Sequence, residues 1–294
     1  MEYINAKTII TKTKSSNWFG TDYNMNIYRG CCHGCIYCDS RSSCYNIKDF
    51  NKIAAKDNAL SIIKSQLKSK KTLGVIGTGS MSDPYNPIEK KLNLTRGALE
   101  IISNYGFGVN IITKSDLILK DIDVLKEINK YAPVCVGFTI TTYDDYLCSK
   151  IEPSVSLSSK RFKAMNELSS EGIFTGVLLM PILPFINDTE ENIISIINKT
   201  KQCGGKFIYP YFGVTLREGQ REYFYNELDK LFPSIREKYI ETYGYKYEGV
   251  SLKSKSLWNT FKLNCHKEGI LYKMPDIIKA YKYRKESYEQ LTLI

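Results

Sequence analysis

Between residues 73 and 212, short β-branched apolar runs alternate with longer segments whose apolar positions recur every three or four residues. This is the pattern of successive βα units, which build a parallel sheet with helices outside it. The runs predict strands over residues 24–28, 73–77, 108–113, 134–139, 174–180 and 207–211. Six strands are too few for a complete eight-stranded barrel, so the expected fold is α/β, a partial six-stranded parallel β/α barrel.

The intervening helices carry their own punctuation. Asn93 is expected to cap a helix running to Tyr105, with Gly106 as its left-handed terminator. A second follows Asp121 and ends near Tyr131, before Pro133. Ser158 or Ser159 caps a third, which puts Phe162, Met165 and Leu168 on one face and exits at Gly172. Asp188 opens a fourth, with Glu190 and Glu191 in the first turn, where the helix dipole favours acids, and Gly204-Gly205 beyond its end. After Gly213 the alternation stops, and residues 218–231, 234–243 and 254–268 read as helices without strands between them. The expected organisation is a core over residues 1–213 and a helical C-terminal extension, 214–294, packed on it and closing part of the barrel mouth.

With 294 residues, 43% of them hydrophobic, the chain can bury a sizeable core without disulfides. Its first residues lack the apolar run of a signal peptide, and no later stretch reaches membrane-spanning length, so a cytoplasmic protein is expected. The nine cysteines are unevenly placed, with Cys31, Cys32, Cys35, Cys38 and Cys44 in one short segment. In a reducing compartment such crowding points to a metal or redox site rather than to disulfides. Cys135, Cys148, Cys203 and Cys265 are scattered and read as small buried residues.

The net charge is +10, and residues 245–294 hold 10 Lys and Arg against 5 Asp and Glu. Tyr245-Lys246-Tyr247 and the stretch from Lys279 to Lys285 interleave bases with aromatics. Such a mixture can track phosphates while stacking bases, and it also fits a solvated amphipathic helix.

The chemistry concentrates in YRGCCHGCIYC, residues 28–38, where Cys31, Cys35 and Cys38 stand at C-x3-C-x2-C spacing just after a predicted strand. Three thiolates can hold three irons of a cubane and leave the fourth iron open to a ligand. Gly30 and Gly34 let the loop take positive φ angles and wrap closely. The same thiols, completed by Cys32, His33 or Cys44, could instead bind structural zinc.

The motif resembles the signature of the radical S-adenosylmethionine (radical SAM) superfamily, and the wider block is similar to its spore photoproduct lyase-like branch. The resemblance continues in SMSDPYNPIEKKLNLTRGALE, ITKSDLILKDIDVL, VGFTITT, KIEPSVSLSSKRF and LMPILPFIND, in the family's order, across residues 24–187. It implies a barrel of the radical SAM type and an enzyme that uses a [4Fe-4S] cluster and S-adenosyl-L-methionine. The cofactor would be cleaved reductively to a 5′-deoxyadenosyl radical, which abstracts a substrate hydrogen.

Carried over motif by motif, Cys31, Cys35 and Cys38 hold the cluster, and Tyr37 lies near the adenine. Ser82 and Asp83 lie near the methionine end, Lys114 near the carboxylate and Thr139 near the ribose. Glu152 and Arg161 pair across the cofactor site. An electron donor such as flavodoxin or ferredoxin is implied. Nucleic acid is the first substrate expectation. The alternatives are a peptide or small molecule, or a non-enzymatic zinc-binding nucleic-acid module.

Plainer readings stand beside these. Ser82-Asp83-Pro84 makes a turn, Lys114 can be solvated, Tyr37 can be a core residue, and His33 a loop residue bonded to backbone. Glu152 and Arg161 can form a surface salt bridge. The chain also departs from the branch, which carries a cysteine hydrogen donor two residues before the Ser-Asp pair, where this sequence has Ser80. A serine O–H bond is too strong to replace that thiol, which leaves Cys32, Cys44 and Cys148 as candidates to stand in.

Overall fold

Strands buried on both faces need continuous apolar runs, and those runs form the central sheet of the computed structural model, which describes residues 2–79 and 81–283. Six parallel strands lie in the spatial order Phe207–Pro210, Phe174–Leu179, Val134–Thr139, Gly108–Thr113, Val75–Thr78 and Tyr23–Met25. The expected six-stranded α/β barrel is therefore present. It gains a seventh strand, Ile10–Lys12, paired antiparallel at the edge with Tyr23–Met25. The first barrel strand ends at Met25, short of the predicted 28. Tyr28–Arg29 belongs instead to a separate three-stranded sheet with Ala54–Lys56 and Glu2–Ile4.

Helices Ala59–Lys68, Leu94–Asn104, Ile122–Tyr131, Ser158–Ser170 and Glu190–Gln202 connect the strands and cover the sheet's outer face. Phe162, Met165 and Leu168 are buried together, as their spacing predicts. The caps differ from expectation. Thr189, not Asp188, accepts the Asn192 N–H, while Asp188 accepts from Phe185 N–H and the Ser251 hydroxyl. Ser158 lies within its helix and donates to Thr142 O. Neither Asn93 nor Asp121 makes a side-chain cap bond.

Alternate strand residues point inward. Val75, Cys135, Phe174, Leu178 and Phe207 form an interior cluster to which Phe19, Ile277 and Tyr281 are added. Gly176 has no room for a Cβ, which would meet the Phe207 ring and backbone at 2.4 Å. Phe174 and Phe207 begin their strands, so this cluster fills the N-terminal end of the barrel. The helix Met274–Lys282 lies across that end, where the Tyr281 hydroxyl donates to Phe19 O and Phe19 packs on Phe207.

The C-terminal extension therefore works at both ends. Helices Gln220–Leu231 and Ile235–Tyr243 pack on Cys35, Ile36 and Tyr37, near the mouth, while Met274–Lys282 closes the floor. Helix Ser254–Glu268 joins the outer layer against Glu190–Gln202. The expectation that no strands follow Gly213 is corrected, because Gly213–Thr215 and Glu248–Val250 pair antiparallel. Two three-residue strands are too short to show a period in the sequence.

Candidate cofactor and active site

The cysteine loop leaves the sheet after Met25 and is pinned by backbone bonds: Cys31 N–H to Phe50 O at 2.8 Å, Ile36 N–H to Ile151 O at 3.0 Å, and Ser154 N–H to His33 O at 3.1 Å. Gly30 (φ 78°) and Gly34 (φ 69°) take the left-handed turns. A Cβ at Gly30 would meet Lys52 O at 2.2 Å. From the other side, Arg217 pairs with Asp39 at 3.2 Å and Gln220 Nε2 donates to Tyr37 O.

This folding brings Cys31, Cys35 and Cys38 to one cavity together with Ser82, Asp83, Lys114 and Thr139. The last four follow or end the strands Val75–Thr78, Gly108–Thr113 and Val134–Thr139, on the face where parallel α/β sheets bind ligands. Gly79, at φ 96°, forms part of the wall, and a Cβ there would meet Ile112 O at 1.9 Å. The three thiols are free, with Cys31 and Cys35 buried and Cys38 half-buried. Burial pushes the Cys31 thiol up to about 12 and raises that of Cys35 as well.

Asp83 is deeply engaged. Its Oδ1 accepts from Tyr85 N–H at 2.9 Å and the Thr113 hydroxyl at 2.7 Å, and its Oδ2 from Lys114 N–H at 2.7 Å. Ser82 donates to Gly30 O at 2.5 Å and so ties its loop to the cysteine loop. The turn reading of Ser82-Asp83 and its presence at the cavity thus both hold. Lys114 is half-buried rather than freely solvated. Burial works against its charge, but Cys35, Glu152 and Cys38 outweigh that and hold its value above that of an ordinary lysine.

Tyr37 does not line this cavity. It is buried, its hydroxyl donates to Glu152 Oε1, and its ring lies 5.8 Å from Lys114 Nζ. Glu152 in turn pairs with Arg161 at 2.6 Å, with both side chains at most 1% exposed, so the surface-bridge reading is corrected. Arg161 also donates to Ser156 O and to Thr139 O, each at 2.7 Å. Although burial raises its value, the charges of Arg161 and Lys114 hold the Glu152 carboxyl below the usual range.

His33 is the cavity residue whose part the sequence pattern understates. It is 4% exposed and its Nδ1 lies 3.7 Å from Asp83 Oδ2. Burial keeps its value below that of a free imidazole. Its position between two cluster-motif cysteines was the available signal. The candidate hydrogen donors do not line the cavity: Cys32 packs on the main core, Cys44 is exposed beside Arg217, and Cys148 is bonded to Glu152 and Arg161. Ser80 lies outside the described residues.

The structure is thus a partial parallel barrel that carries three thiols and a set of polar groups at one cavity on its C-terminal face. The family model "Radical SAM superfamily" matches residues 25–197, and the chain belongs to that superfamily. Members of this family are enzymes that normally bind a [4Fe-4S] cluster and S-adenosyl-L-methionine.

An uncharacterised protein of Methanocaldococcus jannaschii is 33% identical over 80% of this chain and 84% of its own length. The radical SAM Nα-GlyT isomerase of Pseudomonas phage M6 is 22% identical over 62% of this chain and 37% of its own. Among solved structures, spore photoproduct lyase complexed with dinucleoside spore photoproduct has a TM-score of 0.65 at 16% identity. That match covers 92% of this chain and 81% of the lyase, and it supports the fold. Among the described residues no helix is long and apolar enough to cross a membrane.

Proposed function

We propose that the protein cleaves S-adenosyl-L-methionine reductively and uses the product radical on a nucleic-acid substrate. The observation that carries this reading is the meeting of Cys31, Cys35 and Cys38 with Ser82, Asp83, Lys114 and Thr139 at one cavity. The donor set fits the implied groups: three free thiols suit a cluster with one open iron, and Gly79 lets the wall of the cavity pass close against the backbone of Ile112. Cys31, Cys35 and Cys38 would hold the cluster. Ser82, Lys114 and Thr139 would meet the amine, carboxylate and ribose of the cofactor, with Asp83 fixing the loop that carries them.

When bound, the cluster and cofactor would supply a 5′-deoxyadenosyl radical for hydrogen abstraction. The chain's own part is to orient these groups. Lys114 keeps a cation at the cavity, and the Tyr37–Glu152–Arg161 chain fixes the cysteine loop against Thr139. Tyr37 would then act from behind the cavity rather than against the adenine.

The nucleic-acid assignment is supported by the net charge of +10 and by the fold shared with a lyase solved with a dinucleoside. A flavodoxin or ferredoxin would supply the electron, in the cytoplasm, where nine free cysteines persist. The division into a core over residues 1–213 and an extension over 214–294 belongs to the same reading.

Anaerobically reconstituted wild type with dithionite should form 5′-deoxyadenosine and carry four irons, and Cys35→Ala should lose both. Zinc without product in the wild type would overturn the reading in favour of a metal-binding module.

A further inference from the structure

A second cavity, of about 500 Å3, lies beyond His33, which lines both it and the cysteine cavity. Ligand sites commonly span roughly 300–1,000 Å3. Lys90, Lys120 and Lys160 bring ammonium groups to its wall, and Ser115, Ser154 and Ser156 bring hydroxyls. Asp116 is the carboxylate in this wall, and its Oδ1 is occupied by the Ser156 hydroxyl at 2.6 Å.

Lys120 is committed to the fold, donating to Glu89 at 3.2 Å and to Asn93 at 2.8 Å. Lys90 and Lys160 differ. Both are exposed, and among the described residues neither side chain makes a hydrogen bond or an ion pair. They come from separate elements, Lys90 from the short helix Glu89–Leu92 and Lys160 from the first turn of Ser158–Ser170, and meet at one concave surface. With no ion pair holding either one, both ammonium groups are free to meet an anion that enters this cavity.

We infer that this cavity binds a phosphate group, and that the phosphate belongs to the backbone of the nucleic-acid substrate. The second clause rests on the substrate class proposed above. Ammonium groups bind phosphate as point charges, and the hydroxyls of Ser115 and Ser154 add donors, that of Ser156 being spent on Asp116. A phosphodiester held by Lys90 and Lys160 sets the neighbouring nucleotide beside His33, at the wall shared with the cofactor cavity.

The test is fluorescence anisotropy of a short labelled single-stranded DNA, and of its RNA counterpart, across a salt series with reconstituted protein. Lys90→Ala/Lys160→Ala should weaken binding by about tenfold. It should also make the slope of log affinity against log salt less negative by roughly 0.7, the contribution of the one single-strand phosphate that is no longer neutralised. Lys90→Arg/Lys160→Arg should keep most of both. Lys64→Ala/Lys68→Ala, on the exposed face of helix Ala59–Lys68, controls for net charge and should change affinity by less than about twofold.

Dithionite-driven 5′-deoxyadenosine formation without nucleic acid should match wild type in every variant, which shows that the fold and cofactor cavity survive. Unchanged affinity and slope in the Lys90/Lys160 alanine variant, with tight wild-type binding, would overturn this inference and leave the substrate class standing. A wild type that binds neither DNA nor RNA would overturn both. Intact nucleic-acid binding with loss of flavodoxin-driven but not dithionite-driven turnover would assign the surface to an acidic redox protein and overturn the phosphate site.

Discussion

At Glu152 one carboxylate holds three parts of the molecule: the Tyr37 hydroxyl from the cysteine loop, the Arg161 guanidinium from the Ser158–Ser170 helix and, through Arg161, the carbonyl of Thr139. Glu152→Ala leaves a fully buried guanidinium without its counter-charge and should cost about 3–5 kcal/mol in urea unfolding of the metal-free protein. The folded value of Glu152 is depressed, so its contribution is full above the unfolded value of about 4.3 and is lost as pH falls through the folded value. Thermal melts taken from neutral pH into acid should therefore show wild type losing stability below about pH 4, and Glu152→Gln losing less. Gly79→Ala should cost about 2–3 kcal/mol, because the new methyl meets Ile112 O at a positive φ. The meeting of the cysteine triplet with Ser82, Asp83, Lys114 and Thr139 at one cavity was legible, because it follows from local spacing and from their place at or after the ends of apolar runs. The depth of Glu152 and Arg161 was not legible, since charged residues read as surface until a tertiary partner is known. The outward turn of Tyr37 from the cavity was hidden for the same reason.

Helix extents were read closely from apolar periodicity: Ser254–Glu268 matches its expectation, and Leu94–Asn104 lies within one residue of it. Helix starts were read less well, because a cap can come from outside the local window. Asn93 sits in the left-handed region at φ 51°, with its side chain turned to Lys120. The donor at the start of Leu94–Asn104 is met instead by buried Glu89, which accepts from Thr95 N–H at 3.0 Å and also from the Tyr28 hydroxyl and Lys120. Glu89→Ala should thus cost about 3 kcal/mol, from a lost cap, the stranded buried hydroxyl of Tyr28 and a lost ion pair to half-buried Lys120, whereas Asn93→Gly should stay within about 0.5 kcal/mol. Urea midpoints of the two variants measured side by side check the contrast.

Across the whole molecule, the parallel order of the sheet followed from the βα rhythm, but the floor of the barrel did not. The stretch from Lys279 suggested a basic aromatic tail; Tyr281 instead enters the interior cluster, Tyr283 is exposed, and residues 284 and 285 lie outside the described residues. Amphipathic spacing shows that a helix has a buried face without saying which end of a barrel receives it. Tyr281→Ala should remove a buried ring and its bond to Phe19 O, at about 3–5 kcal/mol, read as a lower urea midpoint. That bond joins residues 262 positions apart. A ribosome making this chain has delivered every residue of the cysteine cavity once position 139 has emerged, yet the floor beneath it waits for position 281. From position 210, when the sixth parallel strand is complete, until position 281 emerges, the growing protein holds its three thiols above a barrel still open at the bottom.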